Sequence, residues 1–313
     1  MSLMKKSRFS CLRYDYILSM VEYKNQHFVP EFFLKFFSTD GEHVWTFNLD
    51  GKHEFEESVS NVCSRNYFYS REHNKEVEQT NSKIEGRQSK ALTDLQDEMR
   101  YDALEKEHQF WVRQFVTFQL ERTRSMKDRH SDNIQEFVDR LEDWGLVDPD
   151  EEVVGEVVGF SAKDALLGLM DKSWETEVSL RDLEAVVLVN ESDSEFVTSD
   201  DPIFLHNSYL NAMGNIGLRR VGLEIYLPIS RQLTLLFYDP NIYSISDIDE
   251  PIEVGIEVVR SVNGLQQAGA NNNLFYAHSG LYEDCPEIEA FTITEFDFID
   301  HHSSPEAMFR DNI

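Results

Sequence analysis

Six short apolar runs in the second half of the chain constrain its fold more than any other feature. They are LEAVVLVN, SEFVTS, PIFLH, LEIYLPIS, LTLLFYD and NLFYAHS. Each has the length and the branched or aromatic content of a buried strand. LEIYLPIS and LTLLFYD follow each other closely enough to be sheet neighbours. Ahead of them lies a long helical stretch. The 3.6-residue period predicts a helix from about Glu76 to Arg100, with Ile84, Ala91, Leu95 and Met99 near one face. A second helix is predicted from about Leu104 to Arg129, and a third from Asp132 to Trp144, before GLVDPDEE breaks it. SAKDALLGLMDKSW predicts a helix capped by Ser161, and EVGIEVVRSVNGLQQAGAN another. The expected class is therefore α+β: a central mixed sheet (about residues 183–278) with a long helical segment (about 76–145) packed against it.

Residues 1–22 read as a loosely ordered leader and 23–313 as a single α+β domain. Within it VPEFFLKFF predicts a helix with Pro30 in its first turn, where a missing N–H costs nothing. HVWTFNLDGKHEFEE predicts a hairpin turning at Asp50-Gly51. No apolar run approaches the roughly 18 residues that cross a bilayer, which excludes a helical membrane span. Cys11, Cys63 and Cys285 are odd in number and far apart, which fits a reducing cytoplasm better than a disulfide framework.

Charge is distributed unevenly. Residues 1–140 hold 21 Lys and Arg against 24 Asp and Glu, whereas residues 141–313 hold 8 against 34, within a net charge of −29. The acidic half repels nucleic acid at long range and keeps the protein soluble, so net charge does not support a nucleic-acid partner. The one local basic concentration is ERTRSMKDRH, Glu121 to His130. Gly-rich phosphate loops, G-x-S-x-G and H-E-x-x-H are all absent from the sequence.

Chemistry is suggested instead by polar residues at apolar positions. Trp111, Phe115, Phe118 and Arg122 share one helical stripe, with Gln119 beside it. An arginine there needs an anion: either a carboxylate that ties two helices together, or a bound phosphate. Glu78, Glu85, Leu92 and Met99 follow a seven-residue seam, so two glutamates extend an apolar line. They pair with basic residues, bind a hard metal, or (Glu78 above all) simply favour a helix N-terminus. In FVTSDDPIF a buried strand ends at Ser199 and Asp200, a position suited to metal or acid–base work and equally to a self-bonded turn. His27, just before a helix start, is expected to stay neutral. It is a base or ligand if a carboxylate or metal lies near, and structural otherwise.

These pieces together resemble one family, the domain of unknown function family 4238 of mostly bacterial proteins. KNQHFVPEFFLKFF, IEGRQSKAL, FVTFQLERTR, FVTSDDPIF, LPISRQLTLLF and VNGLQQAGA carry the resemblance, from about Tyr23 to His278. It picks out Asn25, Gln26, His27, Pro30, Glu85, Gln119, Arg122, Thr123, Ser199, Asp200, Pro202 and Asn263. The chain departs from the family pattern at Asp201, usually Asn, which adds a charge, and at Arg231, usually Pro, which alters a turn.

Gathered at one site, Gln26, His27, Glu85, Gln119, Arg122, Ser199 and Asp200 are the groups of a metal-assisted phosphodiester hydrolase, a nuclease-like effector in anti-phage defence. Glu85 and Asp200 would hold Mg²⁺ or Mn²⁺, His27 would act as base, and Arg122 would steady the transition-state charge. Its ligand would contain phosphate. The alternative is a non-enzymatic domain that binds a small anion or a protein, or acts as a sensor, with the same residues as a structural network. An acidic decoy for a DNA-binding protein is third. Residue types alone leave open whether the protein is an enzyme.

Overall fold

The computed structural model describes residues 25–66, 75–123, 172–210, 212–213, 216–245, 250–281 and 299–301. The leader, the helix expected over Asp132 to Trp144, the Ser161 cap and residues 124–130 of the basic stretch lie outside them.

Four of the six apolar runs lie in a six-stranded mixed sheet of order β12-β5-β10-β9-β7-β8; SEFVTS and NLFYAHS, expected in the same sheet, pair in a second one. The strands of the six-stranded sheet are β5 (Glu184–Asn190), β7 (Phe204–Asn207), β8 (Ala212–Met213), β9 (Glu224–Pro228), β10 (Leu233–Tyr238) and β12 (Ile252–Val254). Only the β12–β5 pair is parallel; the rest are antiparallel. As predicted, β9 and β10 are neighbours, Leu235 opposing Leu227.

Alternation along these strands sorts side chains between two helical layers. Val187, Ile225, Leu227, Leu235 and Phe237 share a core with helices α2 (Lys75–Glu98) and α3 (Lys106–Arg122), including Leu92, Leu95, Val112 and Val116. Val186, Leu188, Tyr226, Leu236 and Tyr238 face helix α4 (Ile256–Gly269) through Val259, Val262 and Leu265. Burial on both faces explains why the runs read as continuously apolar. The fold is α+β, with the long helical segment packed on the central sheet as expected.

A second, four-stranded antiparallel sheet has the order β3-β2-β13-β6. It joins the predicted hairpin, β2 (His43–Asn48) and β3 (His53–Ser58), to β13 (Asn273–Tyr276) and β6 (Thr198–Ser199). The turn is a four-residue loop closed by the Asn48–His53 pair, and its positive φ of 48° falls on Lys52 instead of Gly51. Two short ribbons complete the strands: β1 (Asn25–His27) with β4 (Ser64–Asn66), and β11 (Tyr243–Ile245) with β14 (Ile299–His301).

Three local expectations need correction. Pro30 is the residue before helix α1 (Glu31–Lys35), with an extended ψ of 139°; its carbonyl accepts the Phe33 and Leu34 N–H groups. Met99 does not share the apolar face of α2: it follows the helix end at φ +51° and is 38% exposed. Helix α3 stops at Arg122, not Arg129, because Thr123 turns extended with ψ 161°.

Candidate functional site

The motif NQHFVP begins as strand β1, which places His27 opposite Ser64 of β4 and continues as Phe28 N–H to Cys63 carbonyl at 2.9 Å. Helix α3 grips this strand from the side. Gln119 Nε2 donates to the Phe28 carbonyl at 2.8 Å, and Arg122 Nη2 donates to the His27 carbonyl at 2.5 Å. The same guanidinium nitrogen lies 2.7 Å from Glu85 Oε1 on α2, and the group sits over the Phe118 ring. Arg122 is 2% exposed, and its carboxylate partner 27%. Glu85 supplies a carboxylate of the kind the stripe called for: α2, α3 and β1 meet on one buried arginine.

His27 is half-buried within this clasp. Burial pushes its pKa below the ordinary 6.5, against the opposing pull of Glu31 and then Glu85, while Arg122 adds to the depression. The sign of the pH effect follows. Below about 6.5 the unfolded chain takes up a proton that the folded imidazole resists, so stability is lost as pH falls from 6.5 through the folded pKa. Urea unfolding between pH 5 and 8 should therefore show wild type losing more stability on acidification than His27→Gln. The slope difference should not exceed about 1.4 kcal/mol per pH unit. Equal slopes would mean that His27 keeps an ordinary pKa.

The strand-end residues form a second clasp. Asp200 is buried, and its Oδ1 accepts the Asn271 N–H at 2.8 Å and Oδ2 the Asn272 N–H at 3.0 Å, with Asn273 Nδ2 at 3.4 Å. Burial pushes the Asp200 pKa up, and these backbone donors oppose that rise. Ser199 Oγ lies 2.9 Å from the Asp201 carbonyl and 3.0 Å from Gln266 Oε1, and accepts the Asp201 N–H. From α4, Gln266 Nε2 donates to the Pro202 carbonyl and Asn263 bonds the backbone of Glu195 and Val197. The turn reading of SDDP holds for Ser199, which bonds the Asp201 backbone, but not for Asp200, whose donors lie on Asn271 to Asn273.

The two clasps meet through Thr123 Oγ1, 3.4 Å from Asp201 Oδ2. His27, Glu85, Gln119 and Arg122 come together; Ser199 and Asp200 belong to the other group. Gln26 is buried in β1. Glu78 lies in α2, its side chain outside the described residues. For Glu85 and Asp200 as metal ligands, both carboxylates already face N–H donors, and no three His, Cys, Asp or Glu among the described residues converge as a metal site would require. Arg231, at the tip of the β9–β10 turn, leaves the hairpin register intact: Ile229 N–H still meets the Leu233 carbonyl at 2.8 Å.

Sequence reasoning missed a buried polar cluster on the central sheet. His206 Nδ1 lies 2.6 Å from Glu224 Oε2, and Ser208 Oγ donates to the same carboxylate at 2.9 Å. Burial, reinforced by Glu224, pushes the Tyr243 hydroxyl far up. A Ser-His-acid relay needs the hydroxyl and the carboxylate on opposite ring nitrogens. Here Ser208 Oγ is 3.3 Å from the nitrogen that already meets Glu224, so the cluster is a staple between β7 and β9. Its only trace in the sequence is a His and a Glu at the ends of two apolar runs.

The sequence pattern of one family, described as protein of unknown function (DUF4238), matches residues 25–280. No curated protein and no solved structure matches the chain. No helix among the described residues is long and apolar enough to cross a membrane.

Proposed function

The chain belongs to the DUF4238 family of proteins of unknown function, and we propose that it is a non-enzymatic binding domain whose motif residues hold one another in place and present His27. One observation carries this reading: the α3 side chains that could act on a substrate are engaged with the protein. Gln119 and Arg122 hold the Phe28 and His27 carbonyls, and Arg122 also holds Glu85. His27 is thereby fixed on a rigid support, as a recognition group must be. Its setting in this reading is the bacterial cytoplasm, where the free, buried Cys63 stays a thiol.

The metal-assisted phosphodiester hydrolase is the second reading, favoured by the neutral His27, a suitable base near pH 7. It requires Glu85 to leave Arg122, or Asp200 its backbone donors, before either can ligate Mg²⁺ or Mn²⁺. A labelled single-stranded oligonucleotide and a duplex, incubated with the full chain and each cation, separate the two readings. The binding reading expects no cleavage and no cation-induced rise in the unfolding midpoint. Cation-dependent cleavage that disappears in a folded His27→Gln variant would replace it with the hydrolase.

A further inference from the structure

We propose that a row of exposed side chains, Trp174, Val178, Arg219, Arg220, Val221 and Leu210, is a docking surface for an acidic segment of a partner protein, one whose carboxylates alternate with apolar residues. The row shares no residue with the His27 clasp and goes beyond the binding reading above.

Exposure singles out its apolar members. Six large hydrophobic side chains are exposed among the described residues, and four of them lie here: Trp174, Val178, Leu210 and Val221, each 37–51% exposed. Hydrogen bonds trace how they come together. Residues 172–180 are helical, so Trp174 and Val178, four positions apart, share one side. Ser179, the next residue, accepts from Arg219 Nε at 3.0 Å. Arg220 and Val221 follow along the chain. Asn207 then links Val221 to Leu210: its Nδ2 donates to the Val221 carbonyl and its Oδ1 accepts the Leu210 N–H, both at 2.8 Å. Exposed apolar residues scattered singly are ordinary, whereas a continuous row carrying charge marks a contact surface.

The row is also held rigidly, as recognition requires. The Trp174 ring stacks on Phe110 with centroids 5.9 Å apart and stands edge-on to Trp111 at 5.5 Å. The loop that carries the arginines is fastened at both feet. The Tyr243 hydroxyl accepts the Tyr209 N–H and donates to the Gly222 carbonyl, while the Gly222 N–H reaches Asp239 Oδ2 at 2.8 Å. Gly222 has φ +76°, and a Cβ there would lie 2.9 Å from Tyr209 Cβ, so the foot closes on glycine. Ile216 and Leu218 pack against the main core, which leaves Arg219, Arg220 and Val221 facing outward.

Charge names the occupant. Of the eight Lys and Arg in residues 141–313, Arg219 and Arg220 are the only adjacent two. Both are exposed, and neither has a carboxylate partner among the described residues. Guanidinium groups bind carboxylates through paired hydrogen bonds. Trp and Arg among apolar neighbours are also the residues that anchor protein interfaces. Salt screens the net charge of −29 beyond about 8 Å, so at contact the arginine pair decides what is held. A nucleic acid brings phosphate at every nucleotide and offers little to the valine and leucine side chains.

The test titrates the full chain into three labelled probes and follows fluorescence anisotropy: a peptide of alternating Glu and Leu, a Glu-only peptide of equal charge, and a single-stranded oligonucleotide. The Glu-Leu peptide should bind most tightly, with affinity falling as salt is raised. Arg220→Glu should weaken it about tenfold or more, since a charge-assisted contact becomes a repulsion. Val221→Ser should weaken it several-fold. Both side chains are exposed, so circular dichroism should show an unchanged fold. Lys83→Glu, the same charge change at an exposed position of α2, should leave the affinity as it was. Equal binding of the Glu-only peptide, tighter binding of the oligonucleotide, no response to the Glu-Leu peptide, or an unaffected Arg220→Glu variant would each overturn the proposal. Self-association in sedimentation that Arg220→Glu abolishes would make the occupant a second copy and overturn the proposed partner. The cleavage assay for the His27 reading is independent of all these outcomes.

Discussion

Arg122→Met is expected to lower the free energy of unfolding by about 3–5 kcal/mol, the cost of removing one partner of a buried ion pair. Glu85 then keeps its charge beside an apolar stripe, and the His27 carbonyl loses its donor. Because Glu85 retains some contact with water, the loss should fall toward the lower end of that range. Arg122→Lys keeps the charge but not the fork that reaches a carboxylate and a carbonyl at once, so it should still cost about 1–2 kcal/mol. Urea unfolding followed by far-UV circular dichroism measures both. Adding Glu85→Met to Arg122→Met should recover part of the deficit, since the stranded carboxylate goes with it. If Arg122→Met lies within about 1 kcal/mol of wild type, the range expected of a surface residue, the clasp is not what holds α2, α3 and β1 together.

The second large effect is expected at Glu224. Glu224 and His206 are both 1% exposed, and the carboxylate accepts from His206 Nδ1 and Ser208 Oγ. Glu224→Leu strands both donors in the core between β7 and β9, and should cost about 3–5 kcal/mol. Combining it with His206→Phe removes the stranded imidazole and should return a large share of that loss. The two sites also serve as controls for each other. Arg122→Met should perturb the His27 imidazole resonance, because it releases the carbonyl of that residue. Glu224→Leu should leave it unmoved. A His27 resonance that shifts in both variants would show global loosening in place of a local clasp.

The contrast between Arg122 and Glu224 explains how much of the site was legible. Arg122 was visible as an anomaly because a helix repeats every 3.6 residues: a charge on a stripe with Trp111, Phe115 and Phe118 is out of place from its spacing alone. Glu85 was visible through the seam of α2 for the same reason. His206 and Glu224 carried no such mark. Glu224 begins β9 and His206 is the last residue but one of β7, places where a polar residue is ordinary, and their meeting depends on the β7–β9 register. Asp200 lay between these cases. The strand end was legible and a turn was one of its two readings, but its donors come from residues 271–273, more than seventy positions away. The hairpin behaved likewise: local turn residues specify that β2 pairs with β3, yet nothing local says that β13 will pair with β2.

By itself the sequence determined the two long helices and the main strands of the described residues, the α+β class and the family, because apolar periodicity, turn residues and contiguous motifs are all local along the chain. It also marked Arg122 and Glu85 as out of place. Only the tertiary structure decided what each of them does. Whether Arg122 meets a carboxylate or a ligand depends on a second helix arriving within about 3 Å, the reach of a hydrogen bond. That arrival is set by packing of the whole core and not by the residues of the motif.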